Sequence, residues 1–135
     1  MVRGNRSWNT GLTDTRILGT EWDAVYPCMP MDMLVIKPID TIKIDVEGFE
    51  LAALRGIPMI IARDLPTIFF EVNLHCLRIV GVNPIDLLDY LLPFGYELTV
   101  LDYKPGMRAV FRNSVECLKH ISKFGEICDV MARPT

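Results

Sequence analysis

Residues 41–50, TIKIDVEGFE, join the pattern of a strand to the beginning of a helix. Every second residue from 42 to 46 is apolar and those between are polar, which is the period of a strand with one apolar face. Gly48 interrupts that period, and the apolar residues that follow Glu50 have helical spacing. The stretch therefore predicts a strand over 41–46, a tight turn and a helix, which is the order found in α/β domains.

Three carboxylates are expected near the ends of two predicted strands. Asp45 and Glu47 lie at the carboxyl end of the first strand, and a second apolar run over 67–72 contains Glu71 near its end. Neighbouring strands lie about 4.8 Å apart, and ligands of open α/β sheets bind at the carboxyl ends of the strands. The sequence therefore predicts a site in which carboxylates orient a substrate hydroxyl, take up its proton or hold a cation.

Two other interpretations of the same residues stay open. In the first, Glu50 caps its helix, Glu47 is solvated and Asp45 bonds to loop amides, so the acids are structural. In the second, the apolar strand ends in a magnesium-binding aspartate, as in phosphate-hydrolysing nucleotidases. That chemistry needs a phosphate-binding loop, and the pattern G-x-x-x-x-G-K-[ST] does not occur in the sequence.

The rest of the chain alternates helix and strand patterns. This alternation predicts βαβ units, and so an α/β fold with a mostly parallel sheet and flanking helices. Residues 1–25 are polar and turn-rich, and we expect them to form an irregular arm with at most one short strand. Helices are predicted to end at Gly56, to begin at Pro58, and to cover 84–93 and 115–124, and further strands are predicted over 96–103, 107–112 and 127–132.

Composition excludes several classes of function. The net charge is -3 and lysines and arginines are scattered, so we expect no binding to nucleic acid. No stretch approaches the roughly 20 apolar residues of a membrane span, and the N-terminus lacks the apolar centre of a signal peptide, so a cytoplasmic protein is expected. The cysteines are widely spaced, which predicts reduced thiols and no metal site; they are Cys28, Cys76, Cys117 and Cys128.

Three segments of the sequence together resemble the FkbM family of S-adenosylmethionine-dependent methyltransferases. They are KIDVEGFE over 43–50, LRG over 54–56 and PTIFFEV over 66–72. The resemblance extends from Tyr26 to the C-terminus, including a helical turn over 31–34. It implies a Rossmann-like class I methyltransferase fold, S-adenosylmethionine as the cofactor, and O-methylation of a small-molecule hydroxyl acceptor of the sugar or secondary-metabolite kind.

The same resemblance gives roles to the acidic residues. It places Asp45 and Glu47 beside the transferring methyl group and the acceptor, with Glu71 following from the next strand. Two further residues continue from that strand into the loop after it. We predict His75 as a further catalytic residue and Asn73 as a substrate-binding residue because of that position.

The sequence departs from the class I pattern in its N-terminal part. The glycine-rich turn after a first strand and the acid after a second strand are not found, so no cofactor-binding residue is predicted. We expect residues 26–135 to form the C-terminal half of a methyltransferase domain, preceded by the arm. The alternative is a non-catalytic remnant or an interaction module. In either case the open edge of strand 41–46 predicts association with another chain.

Overall fold

The computed structural model describes residues 2–4, 12–14, 28–101 and 108–135. Two short strands, β1 (Val2–Gly4) and β2 (Leu12–Asp14), pair in antiparallel fashion, where at most one strand was expected. The other residues of the predicted arm lie outside the described part of the chain. A 3₁₀ helix over Met31–Met33 confirms the helical turn predicted before the signature strand.

The elements that follow alternate between strand and helix. They are β3 (Thr41–Ile44), α1 (Glu50–Arg55), α2 (Pro58–Asp64), β4 (Thr67–Asn73), α3 (Leu74–Val80), α4 (Pro84–Asp89), a second 3₁₀ helix (Leu92–Phe94), β5 (Tyr96–Leu101), β6 (Arg108–Phe111), α5 (Ser114–Phe124) and β7 (Ile127–Pro134). Residues 102–103 of the strand predicted over 96–103 lie outside the described ranges.

Helix α3 was not predicted from the sequence, which suggested a loop after β4. The helix begins directly at the end of the strand, because the side chain of Asn73 accepts a hydrogen bond from the N–H of Cys76 and so caps it. It ends at Gly81, whose φ of 74° lies in the left-handed region. With no residue between strand and helix, the polar residues at the end of β4 are brought against the first turn of α3.

The five-stranded sheet has the order β3-β4-β7-β5-β6. Strands β3 and β4 are parallel, whereas β7 is antiparallel to both of its neighbours and β6 is antiparallel to β5. The α/β architecture is confirmed, but the prediction of a mostly parallel sheet is wrong, because the sheet is mixed. Alternation of apolar residues shows that β7 is a strand, but its insertion between β4 and β5 depends on contacts far away in the sequence.

The hydrophobic core lies on one face of the sheet. Every described α-helix contributes buried side chains to it, and the strand residues that join it occupy alternate positions, so they point to the same side. The described helices therefore cover one face. The core residues of the strands are Ile44 on β3, Ile68, Phe70 and Val72 on β4, Tyr96, Leu98 and Val100 on β5, and Cys128, Val130 and Ala132 on β7.

The segment before β3 is fixed to helix α2 by one aspartate. The two carboxylate oxygens of Asp32 accept hydrogen bonds from the N–H groups of Met59 and Ile60, at 2.8 and 2.9 Å. Asp32 therefore caps α2 from a distant part of the sequence, since the residue at the helix's own N-cap makes no such bond. The N–H of Asp32 also donates to the carbonyl of Gly56 at 3.3 Å, which brings this segment to the end of α1.

None of the four cysteines forms a disulfide, as predicted. Cys117 and Cys128 are buried in the core, Cys76 is half-buried and Cys28 is exposed. Burial raises the pKa of the Cys117 thiol to about 12. None of the helices in the described ranges combines the length and the apolar character needed to cross a membrane.

Candidate functional site

The turn between β3 and α1 has an unusual backbone. Strand β3 ends at Ile44, earlier than predicted, so Asp45 and Glu47 lie in the turn and not in the strand. Glu47 and Gly48 both have φ in the left-handed region, at 53° and 98°. A Cβ atom on Gly48 would lie 2.9 Å from the carbonyl oxygen of Cys76. The turn therefore needs glycine at this position in order to pack against the first turn of α3.

Glu50 holds this turn from the inside. It is the first residue of α1 and is fully buried. Its Oε1 atom accepts hydrogen bonds from the N–H groups of Val46 and Gly48, both at 3.2 Å. Its Oε2 atom has no hydrogen-bond partner in the described part of the chain. Glu50 thus stabilises the turn before the helix, a role close to the structural interpretation that was left open.

Glu47 contacts a residue that sequence reasoning did not place in the site. The thiol of Cys76 donates a hydrogen bond to Oε2 of Glu47, with 3.4 Å between the sulfur and the oxygen. Burial, this hydrogen bond and the charges of neighbouring carboxylates raise the pKa of Cys76 to about 11. The group is therefore a protonated thiol at neutral pH, and it acts as a donor. The sequence shows a cysteine three residues after Asn73, but this cysteine belongs to no motif that would have marked it as part of the site.

Asp45 lies at the surface in a small ion-pair network. The ammonium group of Lys43 lies 3.2 Å from Oδ2 of Asp45 and 3.5 Å from Oδ1 of Asp129. Asp129 on β7 is the register partner of Glu71 on β4, so these two acids lie side by side on neighbouring strands. These exposed pairs contribute little to stability. Asp129 was missed because the sequence does not show that β7 lies beside β4.

Glu71 is the acid whose pKa responds most clearly to its surroundings. Partial burial raises its pKa first, and the charges of Asp45, Glu47 and Glu50 raise it further. A hydrogen bond from Nδ2 of Asn73 to Oε2 of Glu71, at 3.4 Å, acts in the opposite direction. We call Asp45, Glu47, Glu50 and Glu71 the carboxylate cluster. Within it, Glu71 has the raised affinity for a proton that suits a general base.

The two residues predicted after β4 have different surroundings. Asn73 is buried, and its amide is used at both ends, accepting from the N–H of Cys76 at 3.1 Å and donating to Glu71. His75 is exposed on the first turn of α3, and its side chain makes no hydrogen bond with any described residue. The structure thus brings Asn73 to the carboxylate cluster and leaves His75 outside its hydrogen-bond network. The functional roles of both residues stay predictions.

A cavity of about 750 Å³ lies beside the same turn. Val46 and Phe49 line it from the turn, and residues 28–31 line it from the segment before β3. Most of its wall is apolar, with Arg55 as the charged residue among the described lining residues. Its volume falls within the range of small-molecule sites. No group of three or more His, Cys, Asp and Glu residues within 28–101 and 108–135 is arranged to hold a metal ion.

The fold and this arrangement define an α/β domain with acidic residues gathered at the carboxyl ends of two adjacent parallel strands. The family model of the methyltransferase FkbM domain matches residues 26–98, which is more than half of the chain. The protein therefore belongs to the FkbM methyltransferase domain family, as the resemblance predicted. No curated protein and no solved structure matches the chain.

Proposed function

We propose that the chain methylates a hydroxyl oxygen of a small-molecule acceptor with S-adenosylmethionine as the methyl donor. Membership of the family supports methyl transfer. The observation that carries the proposal is the carboxylate cluster, in which partial burial of Glu71 and then the charges of Asp45, Glu47 and Glu50 raise the pKa of Glu71. A raised pKa brings a carboxyl group closer to the pH at which a general base works best.

The described residues fit such a cofactor in two respects. The carboxylate cluster favours a cationic group, and the cavity beside Val46 and Phe49 is large enough for part of a small ligand. S-adenosylmethionine supplies a methyl group on a positively charged sulfonium, and its carbon–sulfur bond breaks as the new oxygen–carbon bond forms. Asp45 and Glu47 orient the acceptor hydroxyl, and Glu71 accepts its proton.

Calorimetric titration of the purified chain with S-adenosylmethionine and S-adenosylhomocysteine tests the proposal, together with a methyl-transfer assay on hydroxyl acceptors. We expect binding that weakens in Asp45→Asn, and transfer that is slowed in Glu71→Gln. The control is Asp89→Asn, which changes an exposed carboxylate at the end of α4 and should leave both unchanged. A folded wild-type chain that neither binds the cofactor nor transfers a methyl group would overturn the proposal.

The second candidate function is an interaction module, and the distribution of exposed apolar side chains favours it. Eleven large hydrophobic side chains are exposed in the described residues, and five of them lie within residues 29–36, directly before β3. Strand β3 ends the described sheet on that side. The five are Met29, Met31, Met33, Leu34 and Ile36, which we call the methionine patch.

The partner proposed for this surface is a second copy of the chain. Two β3 strands can pair in antiparallel fashion along Thr41–Ile44, the edge that the described sheet leaves without a neighbouring strand. The pairing would satisfy both open strand edges, and the two methionine patches would cover each other. Such a dimer would be stabilised both by main-chain hydrogen bonds between the strand edges and by the burial of apolar surface.

Sedimentation equilibrium over a range of concentrations tests this second candidate. We expect a dimer that dissociates in Met33→Lys. Met59→Lys is a matched control, because Met33 and Met59 are both 72% exposed, yet Met59 lies on α2 outside the methionine patch. A monomeric wild-type chain at high concentration, or equal weakening by both substitutions, would rule the dimer out.

A further inference from the structure

Cys76 connects three parts of the candidate site. Its N–H donates to the side chain of Asn73, which in turn donates to Glu71. Its carbonyl lies where any side chain at Gly48 would clash. Its thiol donates to the carboxylate of Glu47. One residue of α3 therefore contacts the turn after β3, the end of β4 and a predicted catalytic acid.

We propose that Cys76 is a positioning residue, whose thiol fixes the direction of the Glu47 carboxylate toward the acceptor. This inference rests on the proposed methyl transfer. The backbone of Glu47 is in the left-handed region, where side chains are rarely found, so its side chain leaves the turn in an unusual direction. Among the described residues, Cys76 supplies the hydrogen bond that this carboxylate receives.

Burial of the thiol, and then the charges around it, keep it a donor. Glu47 faces it across the hydrogen bond, and the carboxylates of Glu71 and Glu50 act on it from β4 and α1. All three oppose formation of a thiolate, so the hydrogen stays on sulfur and remains available to Glu47. A thiolate in its place would repel the carboxylate, and an alanine would leave it without this donor.

The first test measures the thiol itself and does not require enzyme activity. Alkylation of Cys76 by iodoacetamide is followed by mass spectrometry at pH 8.5 in the wild-type chain and in Glu47→Gln. Removing the charge lowers the thiol pKa, so we expect Cys76 to react at least about threefold faster in the variant. The exposed Cys28 is the internal control and should react at the same rate in both proteins. An unchanged rate at Cys76 would overturn the contact.

The second test separates positioning from a general effect on folding. Hydrogen exchange at the amides of residues 47–49 should become faster in Cys76→Ala and return toward the wild-type rate in Cys76→Ser, which restores a donor. If the chain transfers methyl groups, kcat should fall about tenfold in the alanine variant and recover in the serine variant. Exchange or kcat that is the same in wild type and Cys76→Ala would overturn the positioning role.

The two tests also separate this inference from the function on which it rests. If Glu47→Gln leaves the alkylation rate of Cys76 unchanged, the positioning role is contradicted whether or not the chain is active. If the alkylation rate does change but the chain neither binds the cofactor nor transfers a methyl group, the proposed function is contradicted, and with it the catalytic role of Cys76.

Discussion

The helix-covered face of the sheet and the carboxylate cluster at its end are built on opposite principles. The core side chains on that face are apolar, and most are fully buried. The cluster contains four carboxylates, one of them on a residue with positive φ, and a buried oxygen without a hydrogen-bond partner in the described ranges. The first region supplies stability, whereas the second contains features that cost stability and are typical of functional sites.

The difference teaches where the free energy of folding is used. Burial of apolar surface is strongly favourable and needs no particular partner. Like charges that are held close together need neighbouring groups in fixed positions. Here the hydrogen bonds of Glu50 fix the turn, and the hydrogen bond between Cys76 and Asn73 fixes the beginning of α3. Substitutions in the two regions should therefore differ in size and in their dependence on pH.

The largest effect is expected in the core. Leu54 lies on α1 and is fully buried, so Leu54→Ala should lower the free energy of unfolding by about 2–5 kcal/mol. Urea denaturation measures this loss. Because Leu54 is on the core side, the alkylation rate of Cys76 should stay unchanged in the folded variant. A change in that rate would show that the core and the cluster are not separate.

The next effect is expected at Gly48. Gly48→Ala forces a Cβ against the carbonyl of Cys76 and should destabilise the fold by roughly 1–3 kcal/mol. Gly95→Ala is the matched control, since Gly95 also has positive φ but open space around it. Thermal and urea unfolding of both variants separate the cost of conformation from the cost of the close approach. Equal losses in the two variants would contradict the importance of that contact.

A smaller loss is expected from the buried acid that holds the turn. Glu50→Ala removes the acceptor for two backbone N–H groups, so we expect a loss of about 1–3 kcal/mol in unfolding free energy. Glu50→Gln keeps one carbonyl oxygen for those amides and should be clearly more stable than the alanine variant. Urea denaturation at pH 7 compares them. If both variants were equally unstable, the charge and not the hydrogen bonds would hold the turn.

The smallest effect is a change in pH dependence at Glu71. Its pKa is raised in the folded chain above the ordinary value of 4.5, so the folded state holds this proton more tightly than the unfolded state. The contribution of Glu71 to stability therefore falls as the pH rises from the ordinary value through the raised one. Glu71→Gln should remove that fall, measured as unfolding free energy against pH. A steeper loss in the variant would contradict the sign of the shift.

Much of the secondary structure was readable from the sequence because its signals are local. The alternation before Asp45, the glycine after it and the proline at position 58 predicted β3, the turn and the beginning of α2. Helix α3 was missed because it follows β4 without a break, and its capping residue was interpreted as part of a binding loop. An asparagine at the end of a strand can cap a helix or belong to a loop, and the local sequence does not decide between the two.

The candidate site was predictable in part for the same reason. Two parallel strands with acids at their ends were visible in the sequence, so Asp45, Glu47 and Glu71 could be named together. Cys76 and Asp129 could not be, because neither lies in a motif and each reaches the site through contacts between distant segments. His75 was named from its closeness in sequence, and its catalytic role stays a prediction; its side chain lies outside the hydrogen-bond network because a helix turn directs neighbouring residues to different sides.

By itself, the sequence determined the family, the turn after β3 and the identity of most of the acids, because each depends on residues within one short stretch. Tertiary structure alone decided that the sheet is mixed, that its described helices cover one face, and that the buried Glu50 closes the turn. It also brought the thiol of Cys76 to Glu47. The physical reason is that strand order, burial and hydrogen bonds between distant residues arise from packing, which local periodicity does not encode.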